Sequence, residues 1–407
     1  AGEISLALGD EEVCAPTPSH QLTPYDSEYE GYMGNYGNTV ERWYRRAAVL
    51  VWPADAGFGM RAEASPGWAL ERITESLARG ERDRAREEAR ALVKEWGPAA
   101  PTLLPPALGV ACGVHDGGLA AELLAPFHLE MLEVEHAEPL AALLGVYPQS
   151  WWTALARQWD RRGPAGFPAG RHGDGPPSRR TWAETVLPPL CERLRAVGAA
   201  DVAEWLAGSM GEWVTSEAKD LCGVTHPARR SEALSRLGPS LADVLSVSAA
   251  EAGSELTTRI KNLGNPALPL VLAALRSAGP VAGGAPALVA LASHAHEHLQ
   301  AILARPPRSP ADWSIPWESP GGDDKDRLAE FLTSSSERTF AWPLAAPRRQ
   351  TIHRIIDDAG LPVRHRTIRS GSPYTLLLEK TNELFAREAA ARRRAEEDLA
   401  WLSDAGK

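Results

Sequence analysis

The stretch TWAETVLPPLCERLRAV, residues 181–197, decides the fold class of this chain. Its large apolar side chains recur at the spacing that places them on one face of an α-helix: Trp182, Val186, Leu190, Leu194 and Val197. The residues that follow repeat the pattern, and further helices are predicted at 227–237, 239–262, 266–277 and 286–304. Successive helices joined by short turns predict a mainly α protein of stacked helical hairpins, a HEAT-like α-solenoid.

Both ends of the chain depart from this helical pattern. Apolar and β-branched runs predict strands at 4–8 and 47–52, and runs at 361–368 and 373–378 predict a hairpin around residues 370–372. The sequence therefore predicts four segments. They are a β-rich junction at 1–64, a helical subdomain at 65–160, a helical-repeat subdomain at 181–304, and a helix, β-hairpin and terminal helix at 323–407.

Composition and charge exclude several classes of protein. With 44% hydrophobic residues, the chain of 407 residues is globular and not disordered. Its net charge of -10 argues against a general nucleic-acid binder. The four cysteines lie far apart, which favours reduced core residues over a disulfide framework or a zinc site. Because no apolar run is long enough to span a bilayer, we expect a cytoplasmic protein without a membrane partner.

Two histidine motifs are candidates for metal binding. His294 and His298 are four residues apart on a predicted helix, a spacing at which two imidazoles can share a zinc ion. No third ligand accompanies them, and the alternative is a polar helix flank. His172 and Asp174 match two ligands of the iron-binding facial triad, but their Gly/Pro-rich surroundings favour a solvated loop.

A basic patch near the C-terminus is a candidate contact surface. Its expected contact residues are Arg349 and His353 on a predicted helix, and His365 and Arg369 in the predicted hairpin. Further arginines lie beside them: Arg348, Arg354, Arg364 and Arg366. Such a patch can bind phosphates or an acidic protein surface, and the alternative is a solvated strand face.

A second candidate surface lies in the glycine- and aromatic-rich stretch 29–53. Its glycines recur every third residue, which matches neither the dinucleotide fingerprint nor a phosphate-binding loop. Exposed aromatic and arginine side chains concentrate binding energy. The contact residues expected here are Tyr32, Asn35, Trp43, Tyr44 and Arg45.

Three stretches carry a resemblance to one region of a known family. The first contains EGY at 30–32, GN at 34–35, WY at 43–44, AAV at 47–49 and WP at 52–53. The second contains PPR at 306–308 and DWSI at 312–315, and the third contains LPV at 361–363, His365, Thr367, Arg369, Gly371 and PYTL at 373–376. Together they resemble the region that follows the oxygenase domain in large microbial proteins of the 2-oxoglutarate-Fe(II) oxygenase, prolyl-hydroxylase-like type.

The resemblance implies that Fe(II) and 2-oxoglutarate belong to an oxygenase domain N-terminal to this chain. It therefore implies no cofactor and no catalytic residue within the chain itself. Because the sequence begins at Ala1 and not at methionine, we expect a piece cut from such a longer protein. Relatives often carry a cysteine-rich element after the DWSI stretch, whereas residues 318–324 here contain no cysteine, which puts a metal role of that element in doubt.

These observations favour a non-catalytic region for interaction or substrate presentation in an oxygenase-like protein. Its expected partners are a protein or peptide and its own N-terminal oxygenase domain. One alternative is a metal-binding domain with its own activity around His294 and His298. The other is nucleic-acid binding through the basic hairpin 348–369, which the acidic net charge makes the weaker hypothesis.

Overall fold

The computed structural model describes residues 4–7, 50–53, 57–94, 96–97, 99–162, 177–279 and 285–405. The chain forms two compact units. The first holds Ala1–Leu132 and Glu138–Pro176, and the second holds Glu133–Ala137 and Pro177–Lys407. The division into four segments stays a prediction.

The N-terminal part of the described chain contains one antiparallel strand pair, β1 (Ile4–Ala7) and β2 (Leu50–Pro53), followed by helices. Local sequence sets where helices begin. Pro66 stands in the first turn of its helix, where no backbone N–H is needed, and Asp116 caps another by accepting from the Leu119 N–H at 3.1 Å. The helices are α1 (Gly57–Ala64), α2 (Pro66–Ala78), α3 (Arg82–Lys94), α4 (Leu104–Val114), α5 (Gly117–Leu124), α6 (Ala137–Val146) and α7 (Gln149–Arg162).

Apolar faces of these helices form the core of the first unit. α2 packs against α3 and α4, and α5 packs against α4 and α7. The largest buried side chains share this core: Leu70, Ile73, Leu92, Leu108, Leu123, Phe127, Trp152 and Trp159. The tryptophans of α7 therefore act as packing anchors, as their helical spacing indicates.

The helical part of the second unit runs from residue 179 to residue 304. It contains α8 (Arg179–Thr185), α9 (Leu187–Ala196), α10 (Ala200–Cys222), α11 (Pro227–Val247), α12 (Ala250–Lys261), α13 (Leu268–Ala278) and α14 (Pro286–Ala304). The single helix predicted from residue 181 divides into α8 and α9, because Pro188 and Pro189 lie in the first turn of α9.

α11 departs from the sequence prediction in the opposite direction. It continues through Pro239, where the pattern predicted a break between two helices. α11 lies so close to α13 at Gly238 that an added Cβ would collide with the side chain and backbone of Ala273. Tertiary packing on α13 therefore holds this segment helical against its local preference.

The C-terminal part of the second unit is a small α/β arrangement. It contains α15 (Asp323–Thr333), β3 (Thr339–Pro343), α16 (Ala346–Asp358), β4 (Val363–Ile368), β5 (Thr375–Lys380) and α17 (Glu383–Ala405). The strands form an antiparallel sheet in the order β3-β5-β4. One face of this sheet shares a core with α15 and α16 that includes Phe331, Trp342, Ile352, Ile356, Leu376 and Leu378.

The mainly α fold, the N-terminal β element and the C-terminal hairpin are confirmed. The hairpin is part of a three-stranded sheet, because its strand β5 pairs with β3 as well as with β4. The stacked-hairpin solenoid stays a prediction. Among the described residues, no helix is both long enough and apolar enough to cross a bilayer.

Candidate functional site

The C-terminal sheet has one covered face and one open face. Residues directly opposite in an antiparallel pair share a face, so the strand register assigns every side chain. Leu376, Leu378 and Lys380 of β5 are buried on the covered face, together with Val363 of β4 and Trp342 of β3. Phe340, His365 and Thr367 share the covered face by the same register. The alternate residues define the open sheet face: Thr339, Ala341, Pro343, Arg364, Arg366, Ile368, Thr375, Leu377 and Glu379.

The open sheet face is basic, although the chain as a whole carries a net charge of -10. Glu379 is paired with Arg338, at 3.5 Å between Nη2 and Oε1. Arg364, Arg366 and Arg369, which follows β4, form no ion pair with any described residue, and all are exposed. The two outward guanidinium groups of β4, those of Arg364 and Arg366, therefore have no ion-pair partner among the described residues, although Glu379 lies opposite Arg364 in the register.

One exposed apolar side chain lies at the end of the open sheet face, and another lies beyond the strand pairing on the side of α16. Ile368, the last residue of β4, is 39% exposed, and Tyr374, just before β5, is 42% exposed. The Arg349 guanidinium lies 5.3 Å from the centroid of the Tyr374 ring. Arginine and tyrosine are among the residues that are enriched at binding hot spots.

β4 forms an edge of the sheet. Thr381 N–H donates to Pro362 C=O at 2.9 Å, which fixes the alternation of ladder hydrogen bonds between β4 and β5. Arg364, Arg366 and Ile368 direct their backbone groups toward β5, because they lie at even offsets from Pro362. The backbone N–H groups of His365 and Thr367 consequently point away from the sheet, as do the carbonyls of these two residues.

Arg349, a predicted contact residue, holds parts of the C-terminal α/β arrangement together. Its guanidinium donates to the carbonyl oxygen of Leu344 and, at 3.4 Å, to that of Tyr374. It therefore joins the start of α16 to the ends of β3 and β5. Its cation–π contact also positions the Tyr374 ring.

His353 and His365 lie together between α16 and the covered face of β4. Their Nδ1 atoms share a hydrogen bond, His365 Nε2 lies 3.1 Å from Asp357 Oδ1, and Thr367 Oγ1 lies 3.5 Å from His353 Nε2. Burial lowers the pKa of His353, as do His365 and Arg349, while Asp357 acts in the opposite direction. Neutral imidazoles satisfy this chain of contacts from Thr367 to Asp357, so the pair fastens α16 to β4.

Lys380 is a polar residue that sequence analysis did not single out. It is fully buried at the end of the covered face, where Nζ donates to the Ser334 carbonyl at 2.7 Å. The same Nζ lies 4.7 Å from the Phe331 ring centroid. Burial lowers the pKa of Lys380 to about 8.

The remaining predicted residues divide into two groups. Arg369 is exposed in the turn after β4, next to the open sheet face. The N-terminal candidates Tyr32, Asn35, Trp43, Tyr44 and Arg45 lie outside the described residues. Their contact role stays a prediction.

The metal candidates do not form a complete ligand set in the described part of the chain. The ring centroids of His294 and His298 on α14 are 4.3 Å apart. Burial is the main cause that lowers the pKa of His294, and the neighbouring His298 lowers it further. No group of three or more His, Cys, Asp or Glu side chains that could hold a metal ion lies among the described residues. His172 and Asp174 lie outside those residues, and their metal role stays a prediction.

The sequence predicts the basic patch but not its division between two faces. Arg364 and Arg366 were grouped with His365, although a strand places alternate residues on opposite faces. Ile368 and Tyr374 were not selected, and β3 was not predicted. The alternation of Phe340 and Trp342 with small residues before Pro343 is the signal that indicates this third strand.

Comparison of this chain with protein-family models, curated proteins and solved structures found no match.

Proposed function

We propose that this chain is a non-catalytic interaction region that binds a protein or peptide partner through the open sheet face. The observation that carries this proposal is the pair of exposed arginines Arg364 and Arg366 next to Ile368 on the open sheet face, without an ion-pair partner among the described residues, and with Arg369 exposed in the turn that follows. These guanidinium groups lie outside the core and form no ion pair with a described carboxylate, although Glu379 lies opposite Arg364 in the register. Their joint position favours a binding role over a solvated strand face.

A protein or peptide suits this surface better than a nucleic acid. Sheets that bind single-stranded nucleic acid stack bases on aromatic side chains of the exposed face. The open sheet face presents aliphatic and hydroxyl side chains between its arginines, and Tyr374 lies beyond its end. The acidic net charge of the chain also opposes general binding to phosphate backbones.

The parent protein belongs to the same proposal. The resemblance of residues 30–53, 306–315 and 361–376 supports an oxygenase-like protein of the 2-oxoglutarate-Fe(II) type in which this chain presents a partner to the N-terminal domain. An upstream reading frame with an HxD motif and a distal histidine would support that assignment, and an upstream frame without them would oppose it. We place the protein in the cytoplasm, and Cys112, Cys191 and Cys222, all free thiols, suit a reducing compartment.

A peptide-display selection on the immobilised full chain tests the binding role. We expect selected peptides to lose binding to the Arg364→Ala/Arg366→Ala variant. They should retain binding to Arg393→Ala/Arg394→Ala, which removes the same charge from exposed positions on α17. A selection whose peptides bind both variants as well as the unmodified chain would contradict a binding role of the open sheet face.

A further inference from the structure

We propose that the partner contributes an extended acidic segment, which pairs with the free edge of β4 as an additional antiparallel strand. This inference rests on the proposed function and specifies the chemistry of the partner. Strand addition gains affinity from main-chain hydrogen bonds and specificity from alternate side chains. β4 offers both, since its outer edge carries unpaired backbone groups and its open face carries unpaired arginines.

The backbone of β4 suits strand addition better than the opposite edge of the sheet. His365 and Thr367 direct N–H and C=O groups outward at alternate positions, as the register with β5 requires. β3, the other edge strand, is a residue shorter and ends in Pro343, which has no N–H to donate. An added strand therefore gains a more complete ladder on β4.

The side chains of β4 specify which segment fits. A strand paired through His365 and Thr367 places its intervening residues opposite Arg364, Arg366 and Ile368, on the open face. These are the non-hydrogen-bonded pairs, in which opposite side chains approach most closely. Carboxylates opposite the two arginines and an apolar residue opposite Ile368 complete the match. Because the partner strand is antiparallel, its sequence from the N- to the C-terminus follows the pattern apolar-x-acidic-x-acidic.

A second copy of this chain fits the same edge poorly. Antiparallel registers that pair two β4 strands along most of their length place an arginine opposite an arginine. Like charges directly opposite in a sheet are destabilising, and charged edge strands are a known protection against self-association. The arginines thus disfavour a dimer while they attract an acidic segment.

Calorimetric titration of the full chain with four blocked heptapeptides tests the proposal. The reference peptide is Thr-Val-Thr-Glu-Thr-Glu-Thr, and the second, Thr-Val-Glu-Glu-Thr-Thr-Thr, has the same composition without the alternation. The third carries N-methyl groups on the two threonines that would face His365 and Thr367. The fourth, its matched control, carries them on the two glutamates, whose N–H groups would point away from β4.

We expect the reference peptide and the control with N-methylated glutamate amides to bind alike. The peptide without the alternation and the peptide with N-methylated threonine amides should bind more weakly by about tenfold or more. Equal binding of all four peptides, or of both methylated isomers, would overturn strand addition. If display selection yields face-dependent peptides without acidic residues, the acidic partner is wrong while the binding function stands. Binding of a single-stranded oligonucleotide that Arg364→Ala/Arg366→Ala abolishes, with no binding of the reference peptide, would overturn this inference as well.

Discussion

The two faces of the C-terminal sheet carry their polar side chains in opposite situations. On the covered face, Lys380 donates to Ser334, and His365 is held between His353 and Asp357. On the open face, Arg364 and Arg366 form no ion pair with a described residue. A buried polar group needs a hydrogen-bond partner inside the fold, whereas water solvates an exposed charge that has no partner. The comparison therefore separates residues that stabilise the C-terminal sheet and its helices from residues that are available to a partner.

The largest expected effect distinguishes the faces with two adjacent residues of β5. Leu378→Ala, on the covered face, should lower the stability of the sheet by about 2–5 kcal/mol, because it leaves a cavity between the sheet and its helices. Leu377→Ala, on the open face, should lower it by about 1 kcal/mol or less. Hydrogen exchange of β5 amides measures this local stability directly, since a chain of two units need not unfold in one step. Equal losses in the two variants would contradict the assignment of faces.

The next effect concerns the buried cation of the covered face. Because burial lowers the pKa of Lys380 from 10.5 to about 8, the unfolded chain binds a proton that the folded chain releases between these values. The stability of the native chain should rise with pH across that window. Lys380→Met should remove this contribution while it retains an apolar side chain of similar length. Urea midpoints measured through the window check the result, and equal slopes for both proteins would contradict it.

A smaller effect is expected at the histidine pair. The pKa of His353 is lowered from 6.5 in the folded chain, so acid protonates the unfolded chain first. Stability should therefore fall as the pH drops below about 6.5, and His353→Gln should reduce that fall. Thermal midpoints at about pH 7.5 and about pH 5.5 measure the difference. A variant as acid-sensitive as the native chain would contradict a lowered pKa of His353 in the folded chain.

The sequence predicted the fold class well because helical periodicity is local information. It could not predict that α11 continues through Pro239, since packing at Gly238 on α13 decides that. The hairpin was predictable from its apolar runs and from the turn around Gly371, whose φ of 83° suits glycine. The basic patch was predictable as a cluster, but only the strand register divides Arg364 and Arg366 from His365. Burial of Lys380 carries no signal in the sequence, because lysine is ordinarily exposed.

The smallest expected effect on stability belongs to the arginines of the open sheet face. Arg364→Ala/Arg366→Ala should change the stability of the sheet by about 0.5 kcal/mol or less, because neither guanidinium has an ion-pair partner among the described residues. Hydrogen exchange of β5 amides, compared with Arg393→Ala/Arg394→Ala, measures it. A loss comparable to that of Leu378→Ala would mean that these charges belong to the fold.

Calorimetric titration of the Arg364→Ala/Arg366→Ala variant with the heptapeptide Thr-Val-Thr-Glu-Thr-Glu-Thr tests the central claim most directly. We predict binding weaker by about tenfold or more than that of the native chain, while Arg393→Ala/Arg394→Ala binds as the native chain does. Unchanged affinity in the Arg364→Ala/Arg366→Ala variant, with its sheet intact, would contradict the claim that the open sheet face is the binding surface.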